Sequence, residues 1–199
     1  MIVFLGKVAM FLICNTVCPT KVYGIENIPK EGAAIISGNH LSNWDIFLVG
    51  WKVKRHIIWL AKESLFRAPV VSFFVRAYGA IPVKTEGGSG MSAIMSALKV
   101  LKQDKLLGIF PEGMRTLKKK PSDYSTQLGI AMIMAKAKCP VVPVRIIGNM
   151  KPFRKIQVIF GTPISLEDYG GLDKKHGKED LKQIAEDIMH KVYYMEIPE

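Results

Sequence analysis

Acidic side chains are in short supply in this sequence. It sets 17 Asp and Glu against 28 Lys and Arg, a formal net charge of +11 at pH 7. Such a surface suits anionic partners, whether nucleic acid, an acidic bilayer or a phosphorylated small molecule, and it also describes an ordinary basic soluble protein. Aromatics interleaved with Lys and Arg are missing, as are helix-turn-helix, RNP and zinc-finger patterns, so nucleic acid is not expected as a partner. Cysteine is scarce as well. Cys14, Cys18 and Cys139 are odd in number and form no CxxC pair. That argues against a disulfide framework or a Cys-rich zinc site and fits a reducing compartment. His56, His176 and His190 show no HExxH or Cys/His spacing, so no metal site is expected. No GxSxG elbow offers a serine nucleophile, and neither GxxxxGK[ST] nor GxGxxG is there to cradle a phosphate.

Long apolar runs are rare too, with one exception at the N-terminus. "MIVFLGKVAMFLICNTVC" is apolar throughout but for Lys7, Asn15 and Thr16. It lacks the basic leader and small-residue cleavage site of a signal peptide. A span of hydrocarbon needs about 20 apolar residues, and this run falls short with a lysine midway. A helix lying in the membrane interface, with Lys7 snorkelling to the headgroups, fits better; the alternative is a buried helix. Cys14 and Cys18, four positions apart within it, are expected to serve as small hydrophobes. Residues 1–19 are therefore set apart as an apolar, membrane-associated segment, and 20–199 as one domain, since no repeat or linker divides them.

Beyond the N-terminus, short apolar runs alternate with helical patterns. Residues 20–24, 33–39, 56–62, 80–84, 106–110, 139–148 and 155–164 read as strands. Residues 90–103 form an amphipathic helical pattern with Ile94, Leu98 and Leu101 on one stripe, and 126–138 and 178–195 are helical as well. "LSNWDIFLVGWKV" (41–53) reads as a helix with Ser42 as its N-cap and Asp45 in its first turn. "SLFRAPVVSFFVRAYG" (64–79) looks helical but interrupted at Pro69. The alternation predicts a single α/β layered domain with a mixed, largely parallel sheet flanked by helices. "GNH" (38–40) and "FPEG" (110–113) then both fall at strand ends, where open α/β sheets place their ligand crevice.

Three constellations bear on chemistry. His40 and Asp45 are spaced so that the carboxylate can hold one ring nitrogen while the other takes a proton near neutral pH. Asn39, Ser42 and Asn43 would make a polar rim around them. With four His and seven Asp in the chain, chance produces this spacing too readily for it to stand alone. In "FPEGMRT" (110–116), Arg115 offers a planar fork suited to phosphate beside Glu112 and the turn at Gly113; an internal Glu112–Arg115 ion pair is the competing reading. In "GAIPVKTEGGSG" (79–90), Lys84 can contact an anion or belong to an ordinary surface loop. "KKK" (118–120) is a solvated run or a face for anionic lipid.

"NHLSNWD", "GAIPVK", "FPEGMRT" and "PVVPV", in that order, resemble the four ordered blocks of the glycerolipid acyltransferases, with the greatest likeness to the 1-acylglycerol-3-phosphate acyltransferases. The likeness spans roughly residues 20–165. It implies that His40 is the general base and Asp45 its orienting partner. It also implies that Glu112, Gly113 and Arg115 help bind the glycerol phosphate. Two places depart from the pattern: Thr85 stands where the second block carries Arg, with Lys84 and Arg76 the nearby cations, and Met114 stands where Thr is usual. The resemblance implies transfer of a fatty acyl group to lysophosphatidic acid, giving phosphatidic acid. An acyl-CoA or acyl-carrier-protein thioester would be co-substrate, with no cofactor and no metal. An anionic membrane surface is the expected partner, on the cytoplasmic face, with peripheral or monotopic attachment. Another lysophospholipid acceptor, and a non-catalytic basic membrane-binding module, are the alternatives.

Overall fold

The computed structural model describes residues 2–83, 90–112, 128–148 and 151–197. All seven expected strands form, because each is a short apolar run that is stable only when both its faces are covered. They are β1 (Thr20–Tyr23), β2 (Ala34–Gly38), β3 (Ile57–Lys62), β4 (Ile81–Val83), β5 (Leu106–Ile109), β6 (Val141–Ile147) and β7 (Ile156–Phe160). They make one sheet in the order β1-β7-β6-β2-β5-β3-β4. Every pairing is parallel except β6 with β7, which is antiparallel. The sheet is thus mixed and largely parallel, as expected.

Helices cover both faces. On one side, α1 (Ile2–Asn15) and α2 (Asp45–Gly50) pack through Met10, Cys14 and Leu48 onto Ala34, Ile36, Trp59, Val144 and Phe160. On the other, α4 (Gly90–Leu101), α5 (Gly129–Ala137) and α6 (Lys178–Tyr194) meet Ile35, Leu107, Ile109 and Val141 through Ile94, Met134, Ile184 and Ile188. Ile35 and Ile36 point to opposite cores because successive strand side chains alternate. The expected α4 stripe holds: Ile94 and Leu101 are buried, and Leu98 packs against them.

Three local expectations are corrected. The helix read over 41–53 is reduced to α2, six residues starting at Asp45. Pro69 does not interrupt a helix; it begins α3 (Pro69–Ala77), after a separate 3-10 turn over Glu63–Phe66. Proline at a helix's first position lacks only an N–H that would have no intrahelical partner there. Lys7 does not snorkel outward. Its Nζ donates to the Val53 carbonyl at 2.6 Å, tying α1 to the segment after α2, and burial lowers its pKa. Among the described residues, no helix is long and apolar enough to cross a membrane.

The three cysteines are buried and free. Cys18 lies beyond the end of α1 and its Sγ donates to the Lys151 carbonyl at 3.4 Å, so it ties two segments as well as filling space. Burial pushes the Cys139 thiol up to about 12 and raises that of Cys14, which keeps both as small apolar groups at physiological pH.

One glycine in the sheet is required by its neighbour. Gly108 of β5 sits opposite Trp59 of β3. A Cβ at Gly108 would lie 2.3 Å from the Trp59 ring, so only glycine lets the indole lie flat on the strand.

Candidate active site

β2 ends at Gly38 and the chain turns away over the sheet's carboxyl edge, with Asn39 holding the turn in place. Its side-chain amide donates to the Ile146 carbonyl at 2.9 Å and accepts from the Ile146 N–H at 2.7 Å. The amide thereby prolongs the β2–β6 ladder by one step past the strand. Asn39 is buried by this clasp, so it does not belong to the polar rim expected of it.

His40 comes next and meets Asp45 as its spacing suggested. Nδ1 lies 2.9 Å from Asp45 Oδ2, with the His40 side chain 19% exposed and that of Asp45 1%. The same Oδ2 accepts from the backbone N–H groups of Leu41 at 2.6 Å and Ser42 at 2.7 Å. Three donors converge on one carboxylate oxygen, which fixes the loop 40–45 as a closed ring around Asp45. A carboxylate oxygen can only accept, so the proton between the two side chains belongs to Nδ1, and in the neutral ring the lone pair is on Nε2.

Ser42 is not the N-cap of α2. Trp44 holds that place with no side-chain cap bond, and the Ser42 Oγ instead accepts from the Trp44 N–H at 3.2 Å within the loop. The first N–H groups of α2 are met by backbone carbonyls instead: that of Asp45 donates to Ser42 at 3.1 Å and that of Phe47 to Trp44 at 2.9 Å.

The first residue of the second cluster reaches the first cluster. Phe110, just after β5, stacks on the His40 ring with centroids 4.3 Å apart and planes 12° from parallel. Behind it Phe110 stacks on Trp59 at 4.8 Å and 14°. His40 and Phe110, 70 positions apart, thus meet because β2 and β5 are parallel neighbours. Glu112 is 7% exposed at the turn after β5. Gly113, Arg115 and Lys84 lie outside the described residues, as do Thr85, Met114 and residues 118–120. Arg76 stands in the last turn of α3 with its guanidinium over the Phe66 ring.

Of the remaining histidines, His56 Nε2 pairs with the Tyr78 carbonyl at 2.8 Å and His190 stacks on Tyr194. No group of three His, Cys, Asp or Glu suited to a metal is found among the described residues. Sequence reasoning missed Trp59 and Phe110 as parts of the site. The one signal was Gly108, a glycine inside an otherwise bulky buried strand, which marks a close approach by something large.

A histidine paired with a buried carboxylate thus sits at the carboxyl edge of a largely parallel sheet, where open α/β folds place their ligand crevice. The chain belongs to the Acyltransferase family, whose model matches residues 19–147. It is 30% identical over 183 residues to the 1-acyl-sn-glycerol-3-phosphate acyltransferase of Bacillus subtilis, covering 88% of this chain and 87% of that protein. The enzyme of the same name from Borreliella burgdorferi is 31% identical over 147 residues, which are 73% of this chain and 57% of that protein. In fold it resembles the crystal structure of the 1-acyl-sn-glycerophosphate (LPA) acyltransferase PlsC from Thermotoga maritima. The TM-score is 0.66 with 24% identity, over 94% of this chain and 75% of that one.

Proposed function

We propose that this chain moves a fatty acyl group from an acyl thioester to the free hydroxyl of 1-acylglycerol-3-phosphate, yielding phosphatidic acid for phospholipid synthesis. The observation that carries the reading is the His40–Asp45 pair at 2.9 Å, placed beside Phe110 of the FPEG block. The Bacillus and Borreliella relatives, which bear this activity in their names, support it.

In the reaction His40 Nε2 takes the proton of the acceptor hydroxyl as its oxygen attacks the thioester carbonyl carbon. The imidazolium so formed is stabilised through Nδ1–H by Asp45. The tetrahedral intermediate collapses with cleavage of the C–S bond, and the departing thiolate receives the proton held by His40. No acyl-enzyme is formed and no metal or bound cofactor enters the scheme. Glu112, Gly113, Arg115 and Lys84 are assigned to the acceptor's glycerol phosphate, Arg115 as its bidentate clamp.

The lipid substrate calls for a membrane partner. Phe4, Leu5, Phe11 and Leu12 stand exposed on α1, and Phe73 and Phe74 on α3, Phe4 at 69%. With the +11 net charge, these faces support peripheral or monotopic attachment to an anionic surface on the cytoplasmic face. In a cosedimentation assay, binding to vesicles containing anionic lipid should exceed binding to neutral ones and weaken at high salt. Equal binding to both would remove the electrostatic part of this reading.

The activity is tested by giving the purified, membrane-reconstituted protein a panel of lysolipids with acyl-CoA or acyl carrier protein as donor and identifying products by mass spectrometry. Phosphatidic acid from lysophosphatidic acid is the expected product. Consumption of another lysophospholipid in its place would reassign the acceptor, an outcome to which Thr85 at the second block gives substance. Vesicle binding without any thioester consumption would reduce the chain to a membrane-binding module.

A further inference from the structure

The hydrogen bond to Asp45 acts in the plane of the His40 ring and does little to resist a tilt of that plane, which would swing Nε2 through an arc. A contact normal to the ring resists such a tilt, and the structure contains one. The His40 ring lies on Phe110 at 4.3 Å, Phe110 lies on Trp59 at 4.8 Å, and the two interplanar angles are 12° and 14°. Trp59 is buried and rests on the bare backbone of Gly108, its register neighbour in the sheet. At its other end, Phe110 is flanked by Gly38, where an added Cβ would lie 3.7 Å from Phe110 Cε1. Three flat rings are therefore piled from the middle of the sheet up to the candidate base, on strands that cannot shift independently.

We infer that Phe110 and Trp59 are positioning residues for His40: the stack Gly108–Trp59–Phe110 fixes the plane of the imidazole, as Asp45 fixes its tautomer. Phe110 acts on His40 directly and Trp59 acts through Phe110. When His40 takes the hydroxyl proton, its positive ring also faces the electron-rich face of Phe110, an attraction absent before proton transfer. The inference rests on His40 being the base, and it gives a role to two residues that stand outside the proton-transfer pair.

Phe110→Leu keeps an apolar side chain but removes the flat face. We expect kcat to fall about 10-fold, with KM for donor and acceptor within about twofold, since a small angular error in a reacting group is costly while substrate contacts are kept. Phe110→Tyr, which restores the face, should return kcat to within about threefold of the parent. NMR of protein carrying ring-labelled histidine gives an independent reading. The His40 signals, identified by their loss in His40→Ala, should lie upfield through the ring current of Phe110 and move to ordinary positions in Phe110→Leu. An unchanged kcat in Phe110→Leu with the upfield shift lost would overturn the inference, and so would a rise in KM alone, which would make Phe110 a substrate contact. Should Phe110→Leu fail to fold, Trp59→Phe takes its place: a fall of about threefold in kcat is expected, and parental kcat would overturn it. Full activity in His40→Ala would instead defeat the base reading, whatever Phe110 does. An inactive His40→Ala beside a fully active Phe110→Leu would defeat only the stack.

Discussion

His40→Ala should lower kcat for acyl transfer by about 10³-fold, within the range of about 10²–10⁴-fold that a positioned general base contributes. KM for the acceptor should change little, because in the proposed mechanism its phosphate and acyl chain, not the imidazole, hold it. The residual rate is what binding and orientation supply without a base. Stability should fall as well. The His40 side chain is 19% exposed, stacks on Phe110 and supplies one of the three donors to the buried Asp45 carboxylate. Losing an aromatic pair costs about 0.5–1.5 kcal/mol, and losing a hydrogen bond to a charged group about 1.5–3 kcal/mol. Steady-state kinetics and a thermal melt on the same preparation separate the two effects. A variant that melts like the parent and keeps full turnover would remove His40 from the mechanism.

Asp45→Asn should come next in size and is more informative than an alanine substitution. All three donors reach the same oxygen, Oδ2, from His40 Nδ1 and from the Leu41 and Ser42 N–H groups. An asparagine placing its carbonyl oxygen there can accept all three, so the loop and the Nδ1–H tautomer survive. What it loses is the negative charge that steadies the imidazolium, and a fall in kcat of about 10²-fold is expected. Its amide NH2 must also occupy the place of Oδ1, which is buried with no hydrogen-bond partner among the described residues. An unpaired buried donor costs about 1–3 kcal/mol, which a thermal melt will register. Asp45→Ala should cost more stability than Asp45→Asn because it also strands the two backbone donors. Near-parental kcat in Asp45→Asn would mean that Asp45 only shapes the loop.

The two substitutions probe different halves of one device. In the proposed mechanism His40 supplies the proton-accepting atom, whereas Asp45 supplies charge and geometry from inside the next helix. The order of the two along the chain matters. A carboxylate at the first residue of α2 can reach back over residues 40–42, and its place near the helix N-terminus is itself favourable for a negative group.

The seven strands could be read along the chain because each is a short, continuous apolar run, and a chain whose helices and strands alternate has few ways to cover both faces of such runs except a largely parallel sheet. The α4 stripe and the limits of α6 were legible for a related reason, since helical periodicity shows which face will be buried. Start and stop points were harder. Ser42 has the chemistry of a cap, yet Asp45 takes the loop's donors because a carboxylate accepts several N–H groups at once. Pro69 has the chemistry of a breaker, yet it opens α3 because the 3-10 turn before it already ends the preceding segment. Lys7 has the reach to snorkel, yet the Val53 carbonyl lies within that reach once α1 has docked.

The candidate site divides in the same way. His40 and Asp45 are near in sequence, and a short turn suffices to bring them together, so their pairing was determined locally. The link between the "GNH" and "FPEG" ends required β2 and β5 to lie side by side, and the Trp59–Phe110–His40 stack required the register that sets Trp59 against Gly108. Spacing along the chain carries no record of which strands become neighbours or of which side chain lies flat on which glycine. Those depend on minimising exposed apolar surface and unpaired backbone over the whole sheet at once, and only the assembled structure expresses that choice.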